Sequence, residues 1–174
     1  ALDPLADLPR TGFVLRGVAQ PESIAAHSFG VALTTMLLVD ALRAEGASLD
    51  GERALRMALV HDAPEARTGD LPMPVKTPAL GAAWKEAEST LASRLLPAPQ
   101  AEAWREAEAG ETLEARVVKA ADKIQMMAKV LAYGTQGRGQ LRDFWANGAN
   151  FRDRDIPLAG AVFAALRARY ESQP

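Results

Sequence analysis

The spacing of apolar residues is helical along nearly the whole chain, and this pattern constrains the fold more than any other feature of the sequence. Apolar side chains recur every three or four residues and alanine is abundant. Alternation of valine or isoleucine with polar residues, which marks a strand, is nearly missing. We therefore predict an all-α protein, a compact orthogonal bundle of about six or seven helices.

Capping residues and helix breakers set the expected bounds of these helices. Ser23 is expected to cap the first long helix and Asp50 the second. Pro64 is expected to break or kink the second helix, because proline lacks an N–H group and clashes with the preceding turn. A proline-rich loop is predicted over residues 66–78. The predicted helices run over about 23–43, 51–62, 79–96, 99–109, 112–133, 139–147 and 157–171.

The pattern also predicts which helices are buried. The first long helix is apolar on most of its faces, so we predict that it is the buried centre of the bundle. The apolar residues behind this prediction are Ile24, Val31, Leu33, Met36, Leu37 and Val39. In the second helix, Leu55, Ala58 and Leu59 are expected to face inward. The 99–109 helix is rich in glutamate and alanine and is predicted to be exposed.

Length and charge limit the possible classes of protein. The 174 residues predict one domain spanning 1–174. Twenty basic against 22 acidic residues give a net charge of −2, which predicts no general attraction to nucleic acid or to anionic membranes. The strongly apolar stretch 31–42 is interrupted by polar residues and is shorter than the roughly 20 residues that span a bilayer. The first residues show no signal-peptide pattern.

Cysteine is absent, which excludes disulfides, thiolate metal sites, iron–sulfur clusters and a cysteine nucleophile. The absence fits a cytoplasmic protein.

Four residues stand out as candidates for chemistry. The chain has two histidines, and Asp62 directly follows His61, which makes an imidazole–carboxylate pair suited to a divalent cation. His27 lies within the apolar first helix, where each ring nitrogen needs a partner. Asp122 lies among apolar residues of the 112–133 helix, where an unpaired carboxylate is costly. From the residues alone, a hydrogen-bonded core histidine and an ion-paired aspartate remain as good an interpretation as a metal site.

The order His27, His61-Asp62, Asp122 resembles the H…HD…D signature of the HD-domain metal-dependent phosphohydrolases. The surrounding segments resemble the YfbR-like 5′-deoxynucleotidase group within that family, and the HDxxExxxGD motif at 61–70 is the most specific of them. The resemblance covers about residues 8–145, and the family is helical. The segments are RTGFVLRGVAQPESIAAHS (10–28), ALVHDAPEARTGDLPMPVK (58–76), VVKAADKIQ (117–125) and GRGQLRDFW (137–145).

The resemblance implies one divalent metal ion, held by His27, His61, Asp62 and Asp122. Cobalt, manganese, zinc, iron, nickel or magnesium are the candidates, and the ligand types do not choose among them. Binuclear relatives use further histidines, and this chain has none left, so a single-metal site is expected.

The resemblance also implies the residues that handle water and substrate. Glu65 matches the glutamate thought to position or deprotonate the attacking water. Asp70 matches an aspartate near the substrate 5′ oxygen, where it is a candidate catalytic proton donor or orienting residue. Arg10 is preferred over Arg16 as the partner of the phosphate. The group carries an Arg-Trp pair in this segment, whereas this chain has Phe13 and no tryptophan, so sugar selectivity is open. The implied substrate-binding residues are Arg10, Phe13, Arg16, Asp70, Leu71, Pro72 and Met73.

The predicted function is hydrolysis of nucleoside 5′-monophosphates, with 2′-deoxy forms preferred, to nucleoside and phosphate. Two alternatives remain open: an HD hydrolase of another phosphorylated nucleotide, and a regulatory module that binds metal or nucleotide without catalysis. Family resemblance also implies a homodimer, for which apolar residues on the 79–96 and 157–171 helices offer weak support.

Overall fold

The computed structural model describes residues 2–72 and 77–172, and that part of the chain folds as helices. It contains no strand, only an isolated antiparallel bridge between Pro9 and Ser23. The all-α prediction is confirmed. The α-helices are α1 (Thr11–Val14), α2 (Ile24–Ala44), α3 (Gly51–Val60), α4 (Glu65–Thr68), α5 (Pro78–Leu95), α6 (Ala98–Ala109), α7 (Leu113–Thr135), α8 (Arg142–Ala146) and α9 (Pro157–Glu171), with 3₁₀ turns at Asp3–Ala6 and Gly148–Phe151.

Side-chain caps begin the long helices where the sequence predicts them. The Ser23 hydroxyl accepts a hydrogen bond from the Ala26 N–H, and the Asp50 carboxylate accepts one from the Arg53 N–H. Each cap satisfies an N–H group that has no partner within its own helix and contributes about 1 kcal/mol. The predicted starts of α2 and α3 are therefore confirmed.

The turn between α3 and α4 differs from the prediction. α3 ends at Val60, so His61 and Asp62 lie in the turn that follows it. Pro64 is the N-cap residue of α4, where its missing N–H costs nothing. The predicted loop over 66–78 therefore begins later, since α4 ends at Thr68 and its C-cap Gly69 has a φ of 70° that favours glycine.

The bundle is built around α2 and α7. α2 packs against α7 and α3, α6 packs against α3 and α7, and α9 packs on α7. The main core cluster joins these helices through side chains such as Val31, Met57, Val118 and Phe163, which are at most 3% exposed. Burying a side chain of this size contributes roughly 1.5–3 kcal/mol.

A second, aromatic cluster fixes α1 and α8 to α7. The Phe13 ring meets the Tyr133 ring edge-on at 5.2 Å and stacks on the Phe144 ring at 5.4 Å. The Trp145 ring stacks on the Tyr170 ring of α9 at 4.2 Å. These contacts hold the N-terminal segment against the end of the bundle that carries the site described below.

Three burial predictions are wrong. Leu33, Met36 and Leu37 are 45%, 40% and 60% exposed, because α2 is apolar on most of its faces and only one side packs on α3 and α7. Leu59, expected to face inward, is 58% exposed, while Leu55 and Ala58 do pack in the core.

The third concerns α6. It was expected to be exposed, but it buries Ala101, Ala103, Trp104 and Ala107, because small alanine side chains let it approach α3 and α7 closely.

Helix α2 is also long and apolar enough to cross a membrane by length and composition alone. In its most apolar window, 44% of the residues are buried inside the protein. The core helix of a globular protein passes the same test, and α2 forms the main contacts of this core.

Candidate active site

His27 lies on α2 with its ring fully buried, and its two nitrogens face different partners. Nδ1 lies 2.6 Å from the Gln125 side-chain oxygen Oε1, an acceptor, so Nδ1 donates. Nε2 then carries the lone pair. It lies 3.2 Å from Asp122 Oδ1 and 3.6 Å from Asp62 Oδ2.

His61 repeats this arrangement from the turn after α3. Its Nδ1 lies 2.8 Å from the Ala58 carbonyl oxygen, to which it donates. Its Nε2 lies 3.3 Å from Asp62 Oδ2. The His27 and His61 ring centres are 5.5 Å apart, and both Nε2 atoms face one small volume lined by the Asp62 and Asp122 carboxylates.

The donor set fits a divalent cation. Ligand atoms of His27, His61 and Asp122 all lie within 4.8 Å of one another. Both Nε2 atoms are buried without a hydrogen-bond partner, and a cation would satisfy both lone pairs. Asp62 Oδ2 faces the same volume, but in the described structure it accepts a hydrogen bond from Arg10 at 3.1 Å.

The electrostatics of the cluster favour positive charge. Burial opposes protonation of His61, but the Asp62 carboxylate outweighs it and raises the pKa of His61 to about 9. Burial likewise opposes ionisation of Asp62, yet His61 and Arg10 hold the pKa of Asp62 well below its usual range. The pKa of Asp122 is lowered too, because Lys123 and His27 outweigh the effect of its burial.

Glu65 stands at the start of α4 beside this cluster. Its side chain is buried, and Oε2 has no hydrogen-bond partner. Burial, together with the nearby Asp62 and Asp70 carboxylates, raises the pKa of Glu65 to about 10. This carboxyl group is therefore neutral near pH 7 when no cation is bound beside it.

Arg10 and Asp70 join the N-terminal segment to the cluster of His27, His61, Asp62 and Asp122. One terminal nitrogen of Arg10 lies 3.1 Å from Asp62 Oδ2 and 4.0 Å from Asp70 Oδ1. The other Asp70 oxygen accepts a hydrogen bond of 2.7 Å from the Thr11 N–H, the first residue of α1. Asp70 thus fixes the start of α1 and, with it, the position of Arg10.

A cleft of about 320 Å³ opens over these residues, which is within the range of small-molecule sites. Glu65, Asp70 and Arg10 line it beside His61, Asp62 and Asp122. Arg16 lines it elsewhere, where it pairs with Asp143 at 3.7 Å and lies over the Phe144 ring. Phe13, Leu71 and Pro72 also line the cleft, and Met73 falls outside the described residues.

Several cleft residues were not predicted from the sequence. Lys119, Lys123 and Met126 line it from α7, on the same face as Asp122. The spacing of three and four residues from Asp122 was a signal that could have found Lys119 and Met126, whereas Lys123 directly follows Asp122 and pairs with its carboxylate at 3.3 Å. Trp84 and Lys85 line it from α5, for which the sequence carried no signal.

Comparison with known proteins agrees with this geometry. The HD-domain family model matches residues 2–156. The 5′-deoxynucleotidase hdd1 of Schizosaccharomyces pombe is 33% identical over 153 residues, covering 80% of this chain and 72% of that protein. The human 5′-deoxynucleotidase HDDC2 is 32% identical over 148 residues, covering 81% and 70%. The crystal structure of the PH0347 protein from Pyrococcus horikoshii OT3 superposes with a TM-score of 0.83 at 33% identity, covering 99% and 96%.

The match spans most of the chain, and the relatives exceed 30% identity over more than two thirds of it. The chain therefore belongs to the HD-domain family.

Proposed function

We propose that this protein is a metal-dependent phosphohydrolase that removes the 5′-phosphate of nucleoside 5′-monophosphates, with 2′-deoxy forms preferred. The observation that carries the proposal is the convergence of two histidine Nε2 atoms and Asp122 on one buried volume, beside Glu65 and Arg10 in a cleft. The 5′-deoxynucleotidase names of the relatives support the substrate class.

We assign the metal to His27, His61, Asp62 and Asp122, which agrees with the unpartnered Nε2 atoms and the clustered carboxylates. When bound, a divalent ion would neutralise phosphate charge and lower the pKa of a water molecule. Two imidazoles and two carboxylates suit cobalt, manganese, zinc, iron or nickel, and magnesium is a further candidate.

The chain's own residues supply the remaining steps. Glu65 is assigned as the base that accepts a proton from water as the water oxygen bonds to phosphorus and the bond to the 5′ oxygen breaks. Asp70 is assigned to orient the departing 5′ oxygen and to pass it a proton, which Asp70 regains from solvent, while Glu65 releases the proton taken from the water to solvent.

Arg10 is assigned to the phosphate, because a guanidinium can donate two parallel hydrogen bonds to phosphate oxygens, as it does to the oxygens of a carboxylate. Its contact with Asp62 holds it at the cleft wall before substrate arrives. Arg16, Phe13, Leu71 and Pro72 are assigned to the remainder of the nucleotide, since all four line the same cleft.

The test is phosphate release from ribo- and deoxyribonucleoside 5′-monophosphates, 3′-monophosphates and triphosphates, with manganese, cobalt or zinc added to chelator-treated protein. We expect release from 5′-monophosphates only, and only with metal. Pyrophosphate from triphosphates would instead indicate the other nucleotide hydrolase. Tight nucleotide binding without turnover under every metal would indicate a regulatory module.

We further propose a homodimer. Phe29, Leu33, Met36 and Leu37 form an exposed apolar stripe on α2, since they recur at helical spacing on one side. This stripe is better placed than the apolar residues of α9, because Leu158, Val162 and Leu166 pack against the protein's own core.

Sedimentation at micromolar concentration tests the dimer. We expect about twice the 18.6 kDa chain mass. Leu37→Lys is expected to shift the protein towards the single-chain mass, while Glu45→Lys, near the end of the same helix, is expected to leave it unchanged. A wild-type protein that sediments at the single-chain mass contradicts the homodimer.

A single domain over 1–174 and a cytoplasmic location, with no nucleic-acid or membrane partner, complete the proposal. The family match over residues 2–156 supports the single domain, and the net charge of −2 supports the absence of a nucleic-acid partner.

A further inference from the structure

A buried chain of polar side chains leads from His27 away from the metal-binding volume. Gln125 Oε1 lies 2.6 Å from His27 Nδ1, and Gln125 Nε2 donates to Glu22 Oε2 at 3.0 Å. The same Glu22 oxygen pairs with Lys129 Nζ at 3.3 Å. Glu22 and Gln125 are each only 9% exposed, so water does not replace these bonds.

The hydrogen bonds that join His27, Gln125 and Glu22 have a fixed direction, which follows from the donors and acceptors that each group offers. A carboxylate only accepts hydrogen bonds, so Glu22 requires the NH₂ end of the Gln125 amide. The amide oxygen must then face His27. An oxygen accepts only from a protonated ring nitrogen, so Nδ1 carries the hydrogen and Nε2 carries the lone pair.

Backbone contacts hold Glu22 and Gln125 in place. The Glu22 N–H donates to the Tyr133 hydroxyl at 2.8 Å, and the Glu22 carbonyl accepts from the Arg10 N–H at 3.0 Å. Gly30 lets the Gln125 side chain lie against α2, since a Cβ there would be 2.8 Å from Gln125 Cγ and 2.9 Å from Nε2.

We propose that Gln125 is a positioning residue that fixes the tautomer of His27 for metal binding, and that Glu22 sets the orientation of the Gln125 amide. The inference rests on the proposed function, because it gives His27 Nε2 to the metal. It goes further, since it makes metal affinity depend on two side chains that do not touch the metal-binding volume.

The first measurement is ¹⁵N NMR of the histidine rings in metal-free protein. The chain has two histidines, so the spectrum contains only His27 and His61. We expect neutral His27 to carry its hydrogen on Nδ1 in the wild type. In Gln125→Leu we expect the Nε2–H form to appear. His61, which donates to the Ala58 carbonyl, is the internal control and should not change.

The second variant, Glu22→Gln, keeps the size of the side chain. It lets the amides of residues 22 and 125 rotate by half a turn, so that their oxygen and NH₂ groups exchange places. We expect a mixture of His27 tautomers and a smaller loss of metal affinity than in Gln125→Leu. The wild-type spectrum tests the inference even if a variant does not fold: a neutral His27 ring with its hydrogen on Nε2 alone overturns it.

The second measurement is metal dissociation by competition with a chromogenic chelator, using manganese, cobalt and zinc. We expect Gln125→Leu to bind about 10–100-fold more weakly than the wild type. Activity should return when metal is raised, since the site is weakened rather than removed. Thr35→Val, which changes a buried hydroxyl on the same helix, is the control and should bind metal as the wild type does.

These measurements distinguish a failure of the Gln125 inference from a failure of the proposed function. Wild-type tautomer and metal affinity in both Gln125→Leu and Glu22→Gln would overturn this inference and leave the phosphohydrolase intact. A wild type that binds no metal and releases no phosphate would overturn the proposed function, while the NMR result on metal-free protein still decides the role of Gln125.

Discussion

The protonation of Glu65 depends on what fills the volume beside it. Burial and the neighbouring Asp62 carboxylate raise the pKa of Glu65 to about 10, so in metal-free protein it is a neutral acid. A divalent cation near a carboxyl group favours the ionised form. Metal binding would therefore convert Glu65 into a group that can accept a proton from water.

Glu65→Gln is expected to lower kcat by at least about 100-fold, because the amide keeps the shape of the side chain but cannot accept the proton. Metal dissociation constants should stay within about threefold of the wild type. The metal-free variant should be more stable than the wild type at neutral pH, because wild-type Glu65 must take up a proton on folding and the amide need not. Phosphate release and chelator competition measure both quantities. Glu86→Gln, on the exposed face of α5, is the matched control, and a variant that keeps a tenth of wild-type kcat would remove Glu65 from the mechanism.

Among the helices, α6 has a structural role that its amino-acid composition did not predict. The Trp104 indole N–H donates to the His61 carbonyl at 3.0 Å, and the ring packs in a cluster with Ala63 and Leu96. α6 therefore supports the turn that presents His61 and Asp62. The alanine and glutamate residues in its sequence predicted only an exposed surface helix.

Trp104→Phe is expected to lower the free energy of unfolding by about 1–3 kcal/mol, through the lost hydrogen bond and the smaller ring. It should also weaken metal binding, since the His61 carbonyl loses its donor. Urea unfolding and chelator competition measure the two effects. Trp84→Phe is the stability control, because that indole donates only to Glu88 within α5, and it should cost less. Equal losses in the two variants would show that α6 gives the turn no special support.

Across the whole molecule, the buried site makes metal-free stability depend on pH. Folding raises the pKa of His61 from 6.5 to about 9 and that of Glu65 from 4.5 to about 10. A group whose pKa is raised stabilises the fold fully below its unfolded value, and this contribution is lost as pH rises through the folded value. Both groups act in the same direction between pH 6.5 and 9. The lowered pKa values of Asp62 and Asp122 matter only in acid.

We therefore expect the unfolding free energy of metal-free protein to fall steadily from pH 6.5 to 9. Metal-loaded protein should not show this fall, because bound histidines are neutral and metal binding strengthens as protons leave. Denaturant titrations at several pH values, with and without manganese, measure the difference. Parallel pH profiles for the two forms would contradict the coupling.

Local signals in the sequence predicted the helices well. Ser23, Asp50 and Thr112 each accept the capping hydrogen bond that their residue type favours, so α2, α3 and α7 begin where expected. Which face of α2 is buried could not be predicted, because apolar residues surround that helix and only its neighbours decide. The burial of α6 depends in the same way on contacts with α3 and α7.

The site was only partly predictable. The motif residues His27, His61 and Asp122 do lie together, although they are far apart in the sequence. The contact of Arg10 with Asp62 and the link from Asp70 to Thr11 depend on how the N-terminal segment crosses the bundle. No local sequence pattern predicts where such a segment crosses the bundle.

Helix α5 forms one wall of the cleft but contributes little to the core. In the described part of α5 only Ala92 is buried, yet Trp84 and Lys85 reach the cleft. The metal-binding side chains instead come from the core helices α2 and α7 and from the turn after α3. Substitutions in α5 can therefore alter which nucleotide fits at almost no cost to the fold, so that new substrate preferences can evolve while the hydrolytic centre stays the same.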